Sequence, residues 1–168
     1  MNIFPIDINP ENCAKWSCDQ HIVKILTEAV EVYSSALAYT HKEIWDRLDW
    51  KCKYKVIKTP IVQWACNDSN RIWLCFYIYE LNKEYEYRYG KKHKAYKVFT
   101  CLANSVKEMP YKDIQLTFPD TFVQIVPEHL KQDNAIEAYK NYYKYKYEQG
   151  FKIPMRWTKR EKPKFLCD

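Results

Sequence analysis

An all-α fold is predicted by a shortage of glycine, by two long stretches of helical apolar spacing, and by the helix-start signals ahead of them. Only two glycines, Gly90 and Gly150, occur in 168 residues, and both fall where helices could end. An all-β chain of this length needs many turns with positive φ, which two glycines supply poorly. Apolar residues make up 47% of the chain and aromatics 17%, enough for one packed core and against a disordered chain. The length suits a single domain, 1–168, and no internal repeat or boundary divides it.

The elements follow in order. Residues 1–8 read as an extended lead-in. Asn9-Pro10 opens a helix, with asparagine as cap and proline at the first helical position, where its missing N–H is no loss. One long helix is expected over 11–39, because Ile22, Ile25, Leu26, Ala29, Val32, Tyr33, Ala36 and Leu37 gather on one face. Residues 41–58 are polar apart from Trp45 and Trp50 and read as a loop or short helix. Thr59-Pro60 starts a short segment, and 67–70 caps a second long helix through Ile72, Trp73, Phe76, Tyr77 and Leu81 to Gly90. A third helix is expected over 91–106. An irregular connector over 109–126 is framed by Pro110, Pro119 and Pro127. Asp133-Asn134 caps a last helix over 135–149, followed by an extended basic tail.

Several classes are disfavoured. Seven cysteines form no CxxC pair, which argues against a disulfide framework and against a structural zinc site. No metal or cofactor is expected. The N-terminus lacks the basic-then-apolar pattern of an export signal, and no run of about 18 apolar residues could span a bilayer. The expectation is a soluble chain with reduced thiols, cytoplasmic (inside a host cell) or nuclear. Phosphate-loop, HExxH, EF-hand and nucleophile-elbow motifs are missing.

Charge is unevenly placed. Residues 139–165 hold nine Lys or Arg and two Glu, while the rest of the chain holds eighteen basic and nineteen acidic residues. Within that segment tyrosines alternate with lysines from Tyr139 to Tyr147, and Trp157, Lys159 and Arg160 extend it. Lysines release counterions from phosphates and aromatics stack on bases. Lys144, Lys146, Trp157, Lys159 and Arg160 are therefore candidate contacts for DNA or a nucleotide.

Ser17, His21, Lys24, Glu28, Glu31 and Ser35 form one stripe at helical spacing. Such a stripe is what a solvated helix face shows, and equally what an acid–base or phosphate site needs. Asp19 falls instead in the apolar arc and requires a cation, for which Arg71 is a candidate. Arg88 and His93, closing the second long helix, are candidates to turn toward a pocket shared with Glu28.

The segment Asp19-Gln20-His21, with Glu28 seven residues after the histidine, resembles the first helix of the pyrimidine-dimer DNA glycosylase/lyases (the endonuclease V type). In that family an extended N-terminal segment precedes this helix, and the chain's own α-amine attacks the sugar C1′ of the damaged nucleotide. A helix glutamate handles protons and stabilises the sugar cation, while the histidine belongs to the binding site. The resemblance implies those roles for Glu28 and His21, with the amine at Met1 or Asn2. The family's two arginines around the glutamate are matched here by Thr27 and Glu31. The chain as a whole also resembles small uncharacterised proteins of tailed phages and large DNA viruses, through the Cys-Asp-x-His-x-x-Lys pattern at 18–24 and the Trp-x-x-Arg pattern at 157–160. The expected function is N-glycosidic bond cleavage in DNA or a nucleotide. The alternatives are a viral enzyme processing a nucleotide or modified base with Asp19, His21, Lys24 and Glu28, and a non-enzymatic viral nucleic-acid-binding protein.

Overall fold

The computed structural model describes residues 2–47, 59–106, 122–150 and 154–167. Among them are seven α-helices, two 3-10 turns and no strand, as the glycine shortage predicts. The helices are α1 (Pro10–Trp16), α2 (Asp19–Thr40), α3 (Lys42–Asp46), α4 (Pro60–Ala65), α5 (Asp68–Tyr89), α6 (Lys94–Val106) and α7 (Ala135–Gln149). The 3-10 turns are Glu128–Leu130 and Lys164–Leu166. Trp50, Pro110 and Pro119, and with them most of the expected connector, lie outside the described residues.

Local signals account for several helix ends. The Asn9 side chain accepts from Glu11 N at 2.9 Å, Asn67 from Ser69 N at 3.0 Å, and Asn134 from Ile136 N at 2.8 Å. Each supplies an acceptor to a first-turn N–H with no helical partner. At the other end of α5, Gly90 adopts φ 69°, ψ 17° and returns its N–H to Glu86 O, the left-handed stop that a side chain disfavours.

The two 22-residue helices, α2 and α5, pack together at the centre, with α4 and α6 also against α2 and α1 against α5. The expected apolar arc of α2, from Ile22 to Leu37, is buried and meets Trp73, Leu74, Tyr77, Ile78 and Leu81 in one core. Burying an aliphatic side chain of this size contributes roughly 1.5–3 kcal/mol.

One expectation is corrected. The long helix over 11–39 is two helices, broken at Ser17 and Cys18, whose backbones are extended (ψ 136° and 165°). Distant groups take up the freed backbone N–H donors. Cys18 N donates to the Tyr143 hydroxyl at 2.7 Å, and Asp19 N donates to Arg156 O at 2.8 Å. The tail is also stitched to the body. Trp157 Nε1 donates to Trp16 O at 2.8 Å, Phe165 packs edge-on to Trp16 and Tyr143, and Leu166 is buried.

Candidate functional site

The site assembles where residues 2–6 cross α2 beneath α7. Ile3, Phe4 and Ile6 are buried, which fixes the lead-in to the body. Tyr139 of α7 donates its hydroxyl proton to Val123 O at 2.8 Å and accepts from Ile125 N at 3.0 Å. Ile125 O in turn accepts from Asn2 Nδ2 at 2.8 Å. That chain of contacts brings the backbone nitrogen of Asn2 to Glu28 Oε2, at 2.8 Å. Lys24 Nζ lies 3.4 Å from the other oxygen, Oε1. Both oxygens of Glu28 thus face a donor, and its side chain is 18% exposed. Glu31, one turn further along α2, has its carboxyl pushed upward by burial and then by the negative charge of Glu28.

An aromatic wall stands beside this pair. Phe4 lies parallel to Tyr142 with ring centroids 5.5 Å apart, and packs on His21 at 4.7 Å. Its φ of 46° is left-handed, a conformation costly for a residue with a side chain, of order 1–3 kcal/mol, and found where surroundings over-determine it. Lys146 Nζ sits 4.7 Å from the centre of the Tyr142 ring. His21 is enclosed by Phe4 and Tyr143. Burial, then the Lys146 and Lys24 cations, push its pKa down to about 3. The imidazole is therefore neutral at cellular pH and a poor donor of protons to solvent-facing chemistry; it packs between Phe4 and Tyr143.

The stripe is not a solvated face. Its ends are covered, since Ser17, His21 and Ser35 are buried, while Lys24 is exposed and Glu28 and Glu31 are half-buried. Asp19 does not join it. Its carboxylate accepts from Arg88 Nη1 at 2.9 Å, Thr158 N at 3.0 Å and Thr158 Oγ1 at 2.8 Å. Arg88 also binds Glu84 at 2.7 Å, and Glu84 binds Arg160 at 2.8 Å. The result is a chain of two carboxylates and two guanidiniums joining α2, α5 and the tail. The charged partner expected for Asp19 is present, but it is Arg88. Arg71 instead ties the start of α5 to the end of α2, bonding the Asp68 carboxylate and Thr40 Oγ1. Thr40 lies twelve residues along α2 from Glu28, roughly 18 Å at helical rise.

The tail cations are also committed. Lys159 Nζ donates to Tyr87 O at 2.8 Å, Arg160 grips Glu84, and the Trp157 indole packs beside Tyr147. Lys144 is half-buried on α7. His93 faces α2 from the α5–α6 turn and lines a hollow with Thr27, whereas Arg88 turns away. Sequence reasoning missed Phe4, Tyr139 and Tyr142; the tyrosine–lysine alternation of α7 marked the region without telling inward tyrosines from outward ones. No group of three His, Cys, Asp or Glu side chains among the described residues could hold a metal ion. Cys13, Cys18, Cys66, Cys75 and Cys167 are free thiols, and no described helix is long and apolar enough to cross a membrane. Comparison with models of protein families, with curated proteins and with solved structures finds no match to this chain.

Proposed function

We propose that the chain cleaves the N-glycosidic bond of a nucleotide in DNA, in the manner of the pyrimidine-dimer glycosylase/lyases its first long helix resembles. The observation that carries this reading is the 2.8 Å contact between the nitrogen of Asn2 and Glu28 Oε2. Once the Met1–Asn2 bond is cut, that nitrogen becomes an α-amine with an ordinary pKa near 8, leaving a useful neutral fraction at cellular pH. The amine attacks C1′, the C1′–N bond breaks, and the departing base takes a proton. Opening of the sugar ring then converts the adduct to an iminium. Glu28 accepts the proton lost by the amine and stabilises positive charge at C1′, as a carboxylate fixed beside a developing cation does. Tyr142, half-buried and backed by Phe4, is the aromatic ring a base displaced from its stack could reach.

The test is an assay on ultraviolet-irradiated and abasic duplexes with borohydride present. Wild type is expected to release base or nick the strand and to become trapped on DNA through residue 2, as located by peptide mass spectrometry. Glu28→Gln is expected to lose at least a hundredfold in rate, the scale of a positioned proton-transfer group. Equal rates in the two proteins would remove Glu28 from the mechanism, and an inert wild type would remove the reading.

A further inference from the structure

Beside the Glu28 pair, on the neighbouring face of α2, lies a hollow of about 440 Å³ lined by Thr27, Tyr85, Lys91, Lys92, His93 and Lys94. Thr27 precedes Glu28 in sequence, so the two side chains leave the helix at the same level, about 100° apart. Lys91, Lys92 and Lys94 are exposed, no carboxylate lines the hollow, and none of the three lysines makes an ion pair with a described residue. Lys15, Lys24, Lys42, Lys83, Lys131 and Lys140, by comparison, each have a carboxylate partner; what sets Lys91, Lys92 and Lys94 apart from the remaining lysines is that all three line one hollow.

The turn that carries these lysines is held in place. Gly90 stops α5, and His93 N then donates to Oδ1 of the buried Asn82 at 3.2 Å. The His93 ring stands edge-on to Tyr85 at 4.8 Å, and its Nδ1 accepts from Ala95 N at 3.1 Å. Three cations with no carboxylate partner among the described residues, gathered on an anchored turn, repel one another less when an anion joins them. A phosphate oxygen is the matching ligand for ammonium groups acting as point charges.

We propose that this hollow is a phosphate-binding subsite taking the backbone phosphodiester next to the nucleotide that reaches Glu28. The identity of the strand rests on the proposed glycosidic reading; the affinity for phosphate does not. The test uses a duplex holding a tetrahydrofuran abasic analogue, which binds without reacting, and a deoxynucleoside 5′-monophosphate as a second probe. The duplex is expected to move the amide resonances of residues 91–95 and Thr27 in the isotope-labelled chain. The Lys91→Ala/Lys92→Ala/Lys94→Ala variant is expected to melt like wild type. Its log affinity against log salt should flatten by about 1–2, so the wild-type advantage shrinks up to roughly tenfold between about 50 and 200 mM salt. Movement with the monophosphate alone supports the phosphate chemistry and assigns its source to a free nucleotide. No movement with either probe, or an unchanged slope in the triple variant, overturns the subsite. Base release is scored separately: an inert wild type that still shows lysine-dependent duplex binding removes the glycosidic reading and leaves the subsite standing.

Discussion

Arg88 is shut away from solvent, and the groups that take its N–H donors are Asp19, Glu84 and the carbonyl of Lys15. Removing Asp19 leaves Arg88 Nη1 without its acceptor, although Glu84 still pairs with Nε. Asp19→Ala is therefore expected to destabilise the fold by about 2–3 kcal/mol, below the full penalty for breaking a buried pair. Glu28→Gln is expected to change stability far less, because its partners are a surface lysine and one backbone N–H. Thermal melts of the two variants check the ranking, and an unchanged midpoint for Asp19→Ala refutes it. His21 makes a pH-dependent contribution of known sign. Its folded pKa of about 3 lies below the ordinary value of about 6.5, so the unfolded chain binds the extra proton between these limits. Its contribution is whole above about pH 6.5 and declines steadily as pH falls toward 3. His21→Phe, which keeps a ring against Phe4 and Tyr143, is expected to flatten the loss of denaturation midpoint over that range. An equally steep loss in the variant would assign the acid sensitivity to other groups.

At the scale of elements, the sequence announced what was local. The asparagine caps, the proline starts, the Gly90 stop and the apolar arc of α2 are each decided within a turn or two of the residues that show them. The break between α1 and α2 was not legible, because the groups that stabilise it, the Tyr143 hydroxyl and the Arg156 carbonyl, lie more than a hundred residues away. The candidate site divides the same way. Glu28 stood out through its helical stripe and a local likeness, whereas its contact with Asn2 depends on Ile125 and Tyr139, which no spacing rule links to the lead-in. The tail misled for a related reason: a run of exposed-looking cations contains Arg160, whose guanidinium is the outer member of the buried charge chain. Arg160→Ala is accordingly expected to cost about 1–2 kcal/mol, less than a fully buried pair since its side chain is 30% exposed. Urea titration measures it, and a loss near zero would mean that Arg88 alone satisfies Glu84.

Over the whole molecule, the excess of +6 is not where a nucleic acid would feel it if charge were read from the sequence alone. Lys140, Lys159 and Arg160 are turned to Glu137, the Tyr87 carbonyl and Glu84, so three of the nine cations in 139–165 are engaged within the fold. Lys24 pairs with Glu28, and Lys146 lies over Tyr142 in the aromatic wall. Under the proposed glycosidic reading a strand delivering a sugar to Glu28 would pass both. Lys24→Ala/Lys146→Ala is therefore expected to flatten the salt dependence of abasic-duplex binding by about 1–2 in log–log slope, at roughly 0.9 per phosphate neutralised, and Lys159→Ala by less than about 0.5. Fluorescence anisotropy across a salt series separates the two, and a larger change for Lys159→Ala would move the nucleic-acid face to the tail. The same double variant carries an internal check on geometry. Lys146 and Lys24 both hold the His21 pKa down, after burial, so their removal should raise it only part of the way back toward 6.5. An NMR titration that finds no rise would place the two ammonium groups too far from the imidazole to flank one site.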